Sequence, residues 1–175
     1  YVRKTSYEQA KAFEGVEDWE EAIRTYQSII DLDASDDLAR KAFEQIKQLV
    51  KVHPSIEITR GQRMLHGMVL YNHGRFKDAI TEFQAVSKNK KDKLSGRAIY
   101  YLGRAFHRQR KYDLAIQEYN KISASYSDSR YLTRALYQTT ICYRRKAQPD
   151  IAQKLLQDFV KDYSWSEYAD NALYD

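Results

Sequence analysis

Two stretches of this chain are near copies of one another at a fixed distance. Tyr126-Ser127-Asp128-Ser129-Arg130-Tyr131 returns as Tyr163-Ser164-Trp165-Ser166-Glu167-Tyr168, an offset of 37, and the same offset carries Ala135-Leu136-Tyr137 onto Ala172-Leu173-Tyr174. Arg75-Phe76-Lys77-Asp78-Ala79-Ile80 matches Lys111-Tyr112-Asp113-Leu114-Ala115-Ile116 after a one-residue adjustment in the turn. That places Ala79 on Ala115 and Phe83 on Tyr119 at an offset of 36. Asp18-Trp19-Glu20-Glu21-Ala22-Ile23 with Tyr26 has the same form, and Asp150-Ile151-Ala152 with Leu156 is a weaker copy. A repeat period of ~20–50 residues marks an array of stacked supersecondary units.

The unit itself reads as a helical hairpin. Ile116, Tyr119 and Ile122 follow Ala115 in steps of three that keep one helix face, and Ile99, Leu102, Gly103 and Phe106 do the same before it. Gln109-Arg110-Lys111 is the short polar turn between them. One such pair cannot bury its apolar stripe alone, so copies must stack. The pattern predicts helices over 3–15, 18–32, 36–52, 56–73, 76–89, 93–109, 111–125, 129–146, 149–162 and 166–175. Helix 36–52 has no partner of its own and stands between the first and second hairpins. Asp36 and Asp150 sit at helix starts, where a carboxylate satisfies free N–H groups. His53-Pro54-Ser55 ends the third helix, because proline disfavours helix at the residue before it.

Composition narrows the choice of fold and function. Two Pro and six Gly are too few for an all-β chain with many tight turns, and the lone Cys142 excludes an internal disulfide framework or a Cys-rich zinc site. No apolar run reaches the ~20 residues that cross a bilayer. The chain opens at Tyr1 without an initiator Met or a leader, the expected look of an excised piece of a longer protein. Charge is uneven. Residues 1–58 carry a net −4, residues 59–111 a net +10 and residues 112–175 a net −1. A basic middle between acidic ends suggests a polar partner surface.

Leu102-Gly103, Phe106, Ala115 and Tyr119 are similar in spacing to the tetratricopeptide repeat, as are His66-Gly67, Leu70, Ala79 and Phe83. The terminal Pro of that motif is replaced by Ser127 and Ser164. Thr139-Thr140 stands where a Leu-Gly pair belongs, and the offsets of 36 and 37 exceed the family's period of about 34. The resemblance implies an all-α, right-handed solenoid of stacked helical hairpins forming one domain over 1–175. Its repeats would be 3–34, 60–91, 96–127 and 133–164, with the extra helix 36–52 and the start of a further repeat at 166–175. Tyr-Ser-Asp-Ser-x-Tyr followed by Ala-Leu-Tyr also resembles the linker of bacterial cell-envelope repeat proteins. Gly103-Arg104-Ala105 with Lys111-Tyr112-Asp113-Leu114-Ala115 resembles the helical arm of soluble lytic murein transglycosylases. This narrower resemblance implies a periplasmic or outer-membrane-associated location.

Nothing in the chain has the signature of a catalytic centre: there is no Gly-rich phosphate loop, no Gly-x-Ser-x-Gly and no His-Glu-x-x-His. No cofactor is called for. His66 and His73, seven apart, with His107 in the next repeat, fall short of the three or four convergent ligands a metal needs, and read as packing. Cys142 reads as a buried, inert thiol. Most tyrosines, including Tyr26, Tyr112, Tyr119 and Tyr143, hold packing positions; Tyr100, Tyr101 and Tyr137 are the ones placed for a glycan platform. Trp19 reads as packing, and Trp165 as a partly exposed loop residue. Lys88, Lys90, Lys91 and Lys93 read as a solubilising turn rather than a nucleic-acid patch.

The family resemblance implies a concave groove lined by the first helix of each repeat. Carried over, its positions are Arg97, Tyr100, Tyr101, Arg104, His107 and Arg108; then Arg134, Tyr137, Gln138, Ile141, Arg144 and Arg145; and Met64, Leu65, Met68, Tyr71 and Asn72. The groove would be apolar at one end and arginine-rich at the other, and arginine makes forked bonds to carboxylates and phosphates. The chaperone-type carboxylate clamp does not match, since Met64 stands where a lysine is expected. Arg97, Tyr101, Arg104, Arg108, Arg134, Gln138 and Arg145 are the ligand-groove candidates. The expected function is a non-catalytic scaffold for a protein or peptide ligand, an acidic one or peptidoglycan. The alternative is the non-catalytic arm of a lytic murein transglycosylase whose catalytic domain lies elsewhere. An uncapped C-terminal end is expected to self-associate weakly.

Overall fold

The computed structural model describes residues 2–88, 91–127 and 129–169. Among them are nine helices: α1 (Val2–Gly15), α2 (Trp19–Leu32), α3 (Asp37–Val52), α4 (Arg60–Asn72), α5 (Phe76–Ser87), α6 (Lys93–Arg108), α7 (Tyr112–Ser125), α8 (Leu132–Arg145) and α9 (Pro149–Asp162). Residues 167–169 are also helical, and no strand occurs among the described residues. The chain is an all-α array of helical hairpins. One repeat domain over 1–175 is the expectation; contacts concentrate within two compact units, Tyr1–Val86 and Ser87–Asp175.

The helix starts have identifiable causes. Asp36 accepts from the Ala39 N–H and opens α3, and Asp92 accepts from the Ser95 N–H and opens α6. The helix expected from 56 begins at Arg60, because Thr59 and Gln62 form a reciprocal capping box. The one expected from 129 begins at Leu132. Ahead of it, Ser129 N–H donates to Tyr126 O (2.8 Å) and Leu132 N–H to Ser129 O (2.9 Å), which closes a turn rather than a helix. Asp150 lies in the first turn of α9 behind Pro149, whose fixed φ suits the first helical position.

One turn geometry closes four hairpins. Asp18 N–H donates to Phe13 O, Arg75 to Leu70 O, Lys111 to Phe106 O and Gln148 to Tyr143 O, all at 2.9–3.0 Å. Each bond spans five residues and encloses a left-handed residue: Glu17, Gly74, Arg110 or Ala147, with φ between 56° and 75°. This is the C-cap that satisfies the last free carbonyls of a helix. The left-handed positions at 74, 110 and 147 repeat the offsets of 36 and 37 read in the sequence.

The same register organises the cores. Gly67 and Gly103 lie seven residues before the left-handed position; Phe83 and Tyr119 lie nine after it. A Cβ on Gly67 would stand 2.5 Å from the Phe83 ring, and one on Gly103 would stand 2.5 Å from the Tyr119 ring. Ala79 and Ala115 are fully buried beside them. In the first unit α1 packs on α2, α2 on α3, and both α2 and α3 on α4. Arg3 ties the start of α1 to Asp36 and donates to the carbonyls of Ile29 and Asp33 at 2.9 Å. In the second unit α6 packs on α7, α7 on α8 and α8 on α9. Tyr168 covers the last of these, its ring 5.4 Å from that of Tyr137. Ala172 and Leu173, the copies of Ala135 and Leu136, fall outside the described residues, as does Lys90 of the lysine turn.

Candidate functional site

Arg97, Tyr101, Arg104 and Arg108 step by four, three and four along α6, which puts them on one side of the helix while Ala98, Leu102 and Ala105 face the core. Arg134, Gln138 and Arg145 occupy the facing side of α8. Electrostatics show which of them meet. Burial holds the Tyr100 phenol above its usual range, and the Arg104 and Arg134 guanidiniums both pull against it. Burial likewise holds the His107 imidazole below its usual range. Gln138 hydrogen-bonds that ring and opposes the shift, while Arg145, Arg104 and Arg108 reinforce it. The candidates therefore gather in two groups. Arg104, Arg108, Gln138 and Arg145 surround His107. Arg97, Tyr101 and Arg134 line a cleft of about 900 Å³ beside the turn between α7 and α8.

Arg134 donates to Glu167 Oε1 at 3.1 Å, and its guanidinium lies 5.8 Å above the Tyr168 ring. Arg97 is half-buried, and its Nε is fully buried with no hydrogen-bond partner. Arg130 donates to the Tyr131 hydroxyl at 3.1 Å while its guanidinium lies 5.1 Å above the Tyr131 ring.

The glycan platform is corrected. Tyr100 and Tyr137 are 5% and 8% exposed, Tyr100 stacks on Tyr131 at 4.9 Å, and Tyr137 sits in a core cluster with Phe159. Their rings fill space between helices, and Tyr101 alone of the three is half-exposed. Met64, 1% exposed, is core rather than groove lining. Tyr71 meets Phe76 edge-on at 5.5 Å, and Asn72 donates to Ala34 O at 3.1 Å. Tyr71 is thus half-buried against its own hairpin, while Asn72 stays exposed.

The remaining residues singled out resolve as follows. His66 is buried, with Nε2 3.0 Å from Gln27 Oε1, and burial first and Arg63 second push its pKa down to about 4. His73 donates from Nδ1 to Val69 O at the end of α4. No group of three or more His, Cys, Asp or Glu gathers among the described residues. Cys142 is fully buried, and burial pushes its thiol up to about 12. Trp19 stacks on His53 at 4.6 Å; Trp165 is 77% exposed. No helix among the described residues is long and apolar enough to cross a membrane.

The first unit holds a smaller cleft of about 280 Å³ between α3, α4 and α5. Four of its five charged lining residues pair, Arg63 with Glu82 at 3.2 Å and Arg75 with Asp78, Arg75 reaching Glu44 as well; Lys47 has no carboxylate partner among the described residues. In the second unit's cleft Glu167 is the one carboxylate among the described lining residues, against Arg97, Arg130 and Arg134. Sequence reasoning passed over Arg130, Tyr131 and Glu167 there, because the repeated Tyr-Ser-x-Ser-x-Tyr segment reads as a linker. Its signal was the doubling of hydroxyl and aromatic residues beside a cation.

Stacked hairpins with small-on-aromatic contacts define a helical repeat protein. The particular repeat is settled by comparison. A tetratricopeptide-repeat family model matches residues 64–129 and a second one matches residues 134–164, together more than half of the chain. The chain is built of tetratricopeptide repeats, and these are repeat families rather than catalytic ones. A segment of the transcription factor tau 131 kDa subunit from Saccharomyces cerevisiae is 25% identical over 116 residues, covering 64% of this chain and 10% of that subunit. The chain thus spans about a tenth of this curated relative. The crystal structure of MamA protein superposes with a TM-score of 0.59 at 18% identity, covering 91% of this chain and 90% of that one. A putative kinesin light chain from Podosopora anserina with nearly identical TPR-like repeats gives 0.55 at 14% identity, over 94% and 76%. Both likenesses show the fold alone.

Proposed function

We propose that this chain is a non-catalytic docking scaffold whose second unit holds an acidic protein segment against the exposed side of α6 and α8. The observation that carries this reading is the gathering of Arg104, Arg108 and Arg145 near His107, whose imidazole is held below its usual range by burial first and by these three cations after it. Cations held close together repel one another, and an anionic partner relieves that repulsion. The repeat family supports a protein partner, and the yeast relative is by name a subunit of a larger factor. Fluorescence anisotropy with labelled acidic, neutral and basic peptides tests it. Acidic peptides should bind, with affinity falling as salt rises, and Arg104→Ala should weaken binding and flatten the salt dependence. Equal binding of neutral peptides would refute it.

A finer reading places the scaffold in a bacterial cell envelope, on the periplasmic or outer-membrane side, with the arm of a lytic murein transglycosylase as the alternative. The support is the resemblance carried by Tyr126–Tyr131, Ala135-Leu136-Tyr137 and Gly103-Arg104-Ala105. Cell fractionation of the parent protein tests the location. Co-sedimentation with purified murein sacculi, together with a search of the coding sequence beyond Asp175 for a catalytic domain, tests the alternative. Weak self-association through the C-terminal end belongs to the same reading; light scattering over a concentration series decides it.

A further inference from the structure

We infer that the cleft around the turn between α7 and α8 is a subsite for an acidic residue of a partner's extended peptide and the apolar or aromatic residue beside it. This rests on the peptide-docking reading above but assigns a separate place and chemistry, away from the arginines around His107.

Charge is the first support. Two adjoining clefts, of about 900 and 840 Å³, share Arg97, Ser127, Ser129, Arg130 and Tyr131. Lys91 and Lys93 line one and Arg134 the other, so five cations border a single turn, whose own Asp128 lies outside the described residues. Glu167 is the one carboxylate among the described lining residues, and Arg134 already holds it at 3.1 Å. Arg97 is the least satisfied of these cations. Its Nε is buried without a hydrogen bond, and no carboxylate among the described residues pairs with it. A partly buried guanidinium is costly until a carboxylate meets it in the forked geometry arginine favours. Glu167, which accepts from Arg134 Nη2 at 3.1 Å, shows that this wall takes a carboxylate.

Shape is the second support. Trp165 stands at the rim, 77% exposed, edge-on to Tyr163 at 6.2 Å. A large exposed indole beside a cationic pocket is the composition of an interface anchor. Arg130 is fixed over the Tyr131 ring, and Tyr131 is stacked on Tyr100, so the floor is rigid before any ligand arrives. Each cleft has the volume of pockets that bury a small ligand, ~300–1,000 Å³, or a few peptide residues. A single-stranded nucleic acid fits less well. It needs a row of open aromatic faces, and Tyr100 and Tyr131 are each 5% exposed.

The test is fluorescence anisotropy with a fluorescein-labelled octapeptide carrying a central Glu-Glu-Phe. Comparators carry Gln-Gln-Phe or Glu-Glu-Ala, and a labelled uridine oligonucleotide competes. The Glu-Glu-Phe peptide should bind best. Arg130→Ala should weaken it by ~10-fold, the loss of one charge-assisted contact, and Trp165→Ala should weaken the Phe peptide but not the Ala peptide. Glu167→Gln, which frees Arg134, should tighten binding by ~3-fold or more, a gain that misfolding cannot produce. In a Trp19→Phe background the emission of Trp165 should shift on binding. Acidic-peptide binding that responds to Arg104→Ala and Arg145→Ala but ignores Arg130, Trp165 and Glu167 would overturn this subsite and leave the scaffold reading standing. No acidic-peptide binding at all would overturn both, and preference for the oligonucleotide would replace the peptide as occupant.

Discussion

Gly103 lies under the ring of Tyr119 so closely that a Cβ there would stand 2.5 Å from Cε1 and 2.8 Å from Cδ1. The ring is 1% exposed and has nowhere to move. Gly103→Ala should therefore destabilise the second unit by ~1–3 kcal/mol of overpacking, less the ~1 kcal/mol that alanine gains in a helix. Gly61→Ala is the control. Gly61 is exposed in α4 and its nearest atom, Thr59 Oγ1, is 3.9 Å from the added methyl. Urea melts should show a loss for the first and a small gain for the second; equal effects would mean that the Gly103 contact is not tight.

Ala147 has φ 56° at the turn between α8 and α9, where Gly74 does the same work at φ 75°. An L-residue there costs roughly 1–2 kcal/mol, while glycine gives back ~0.4–1 kcal/mol through the unfolded chain. Ala147→Gly should raise the urea midpoint with an unchanged slope, and Gly74→Ala should lower it. The opposite signs would show that the turn is not left-handed.

His66 carries the pH prediction. Its folded pKa, about 4, lies below the ordinary 6.5. Above pH 6.5 the ring is neutral in both states and stability is complete. As pH falls from there to 4, the unfolded chain takes up a proton that the folded one refuses, and about 3 kcal/mol is lost. His66→Gln keeps a polar group facing Gln27 and removes the titration. Chemical denaturation at pH 7, 5.5 and 4 should show a smaller decline for the variant than for the wild type; parallel declines would refute it.

Cys142 tests burial chemically. With no exposure and a pKa near 12, it holds almost no thiolate at pH 8. A disulfide reagent should label it at least ~100-fold faster in denaturant than in buffer, since the thiolate is the reactive form. Rapid labelling of the native protein would mean that α8 opens easily.

How much of this was legible beforehand varies with the kind of interaction. Hairpin positions were plain, because Ala79, Ala115, Phe83 and Tyr119 recur at one offset and burial follows periodicity. Helix starts at Arg60 and Leu132 were misjudged by four and three residues, since capping is decided by side-chain hydrogen bonds that periodicity does not record. Three of the four left-handed turns hold Glu17, Arg110 and Ala147, residue types that give no hint of positive φ; only Gly74 did. The site was legible as a set of cations and no further. That Tyr100 and Tyr137 point inward while Arg130 and Trp165 line a cleft depends on how neighbouring helices meet, which no single helix pattern contains.

Counted from the left-handed residue, the positions seven before and nine after hold Ala10 with Tyr26, Gly67 with Phe83, Gly103 with Tyr119, and Thr140 with Leu156. Where the first member is small the second is a ring; where it grows to threonine the second shrinks to leucine. Within these hairpins a larger residue at the first position thus goes with a smaller one at the second. Gly103→Thr should be rescued in part by Tyr119→Leu, though neither is tolerated alone.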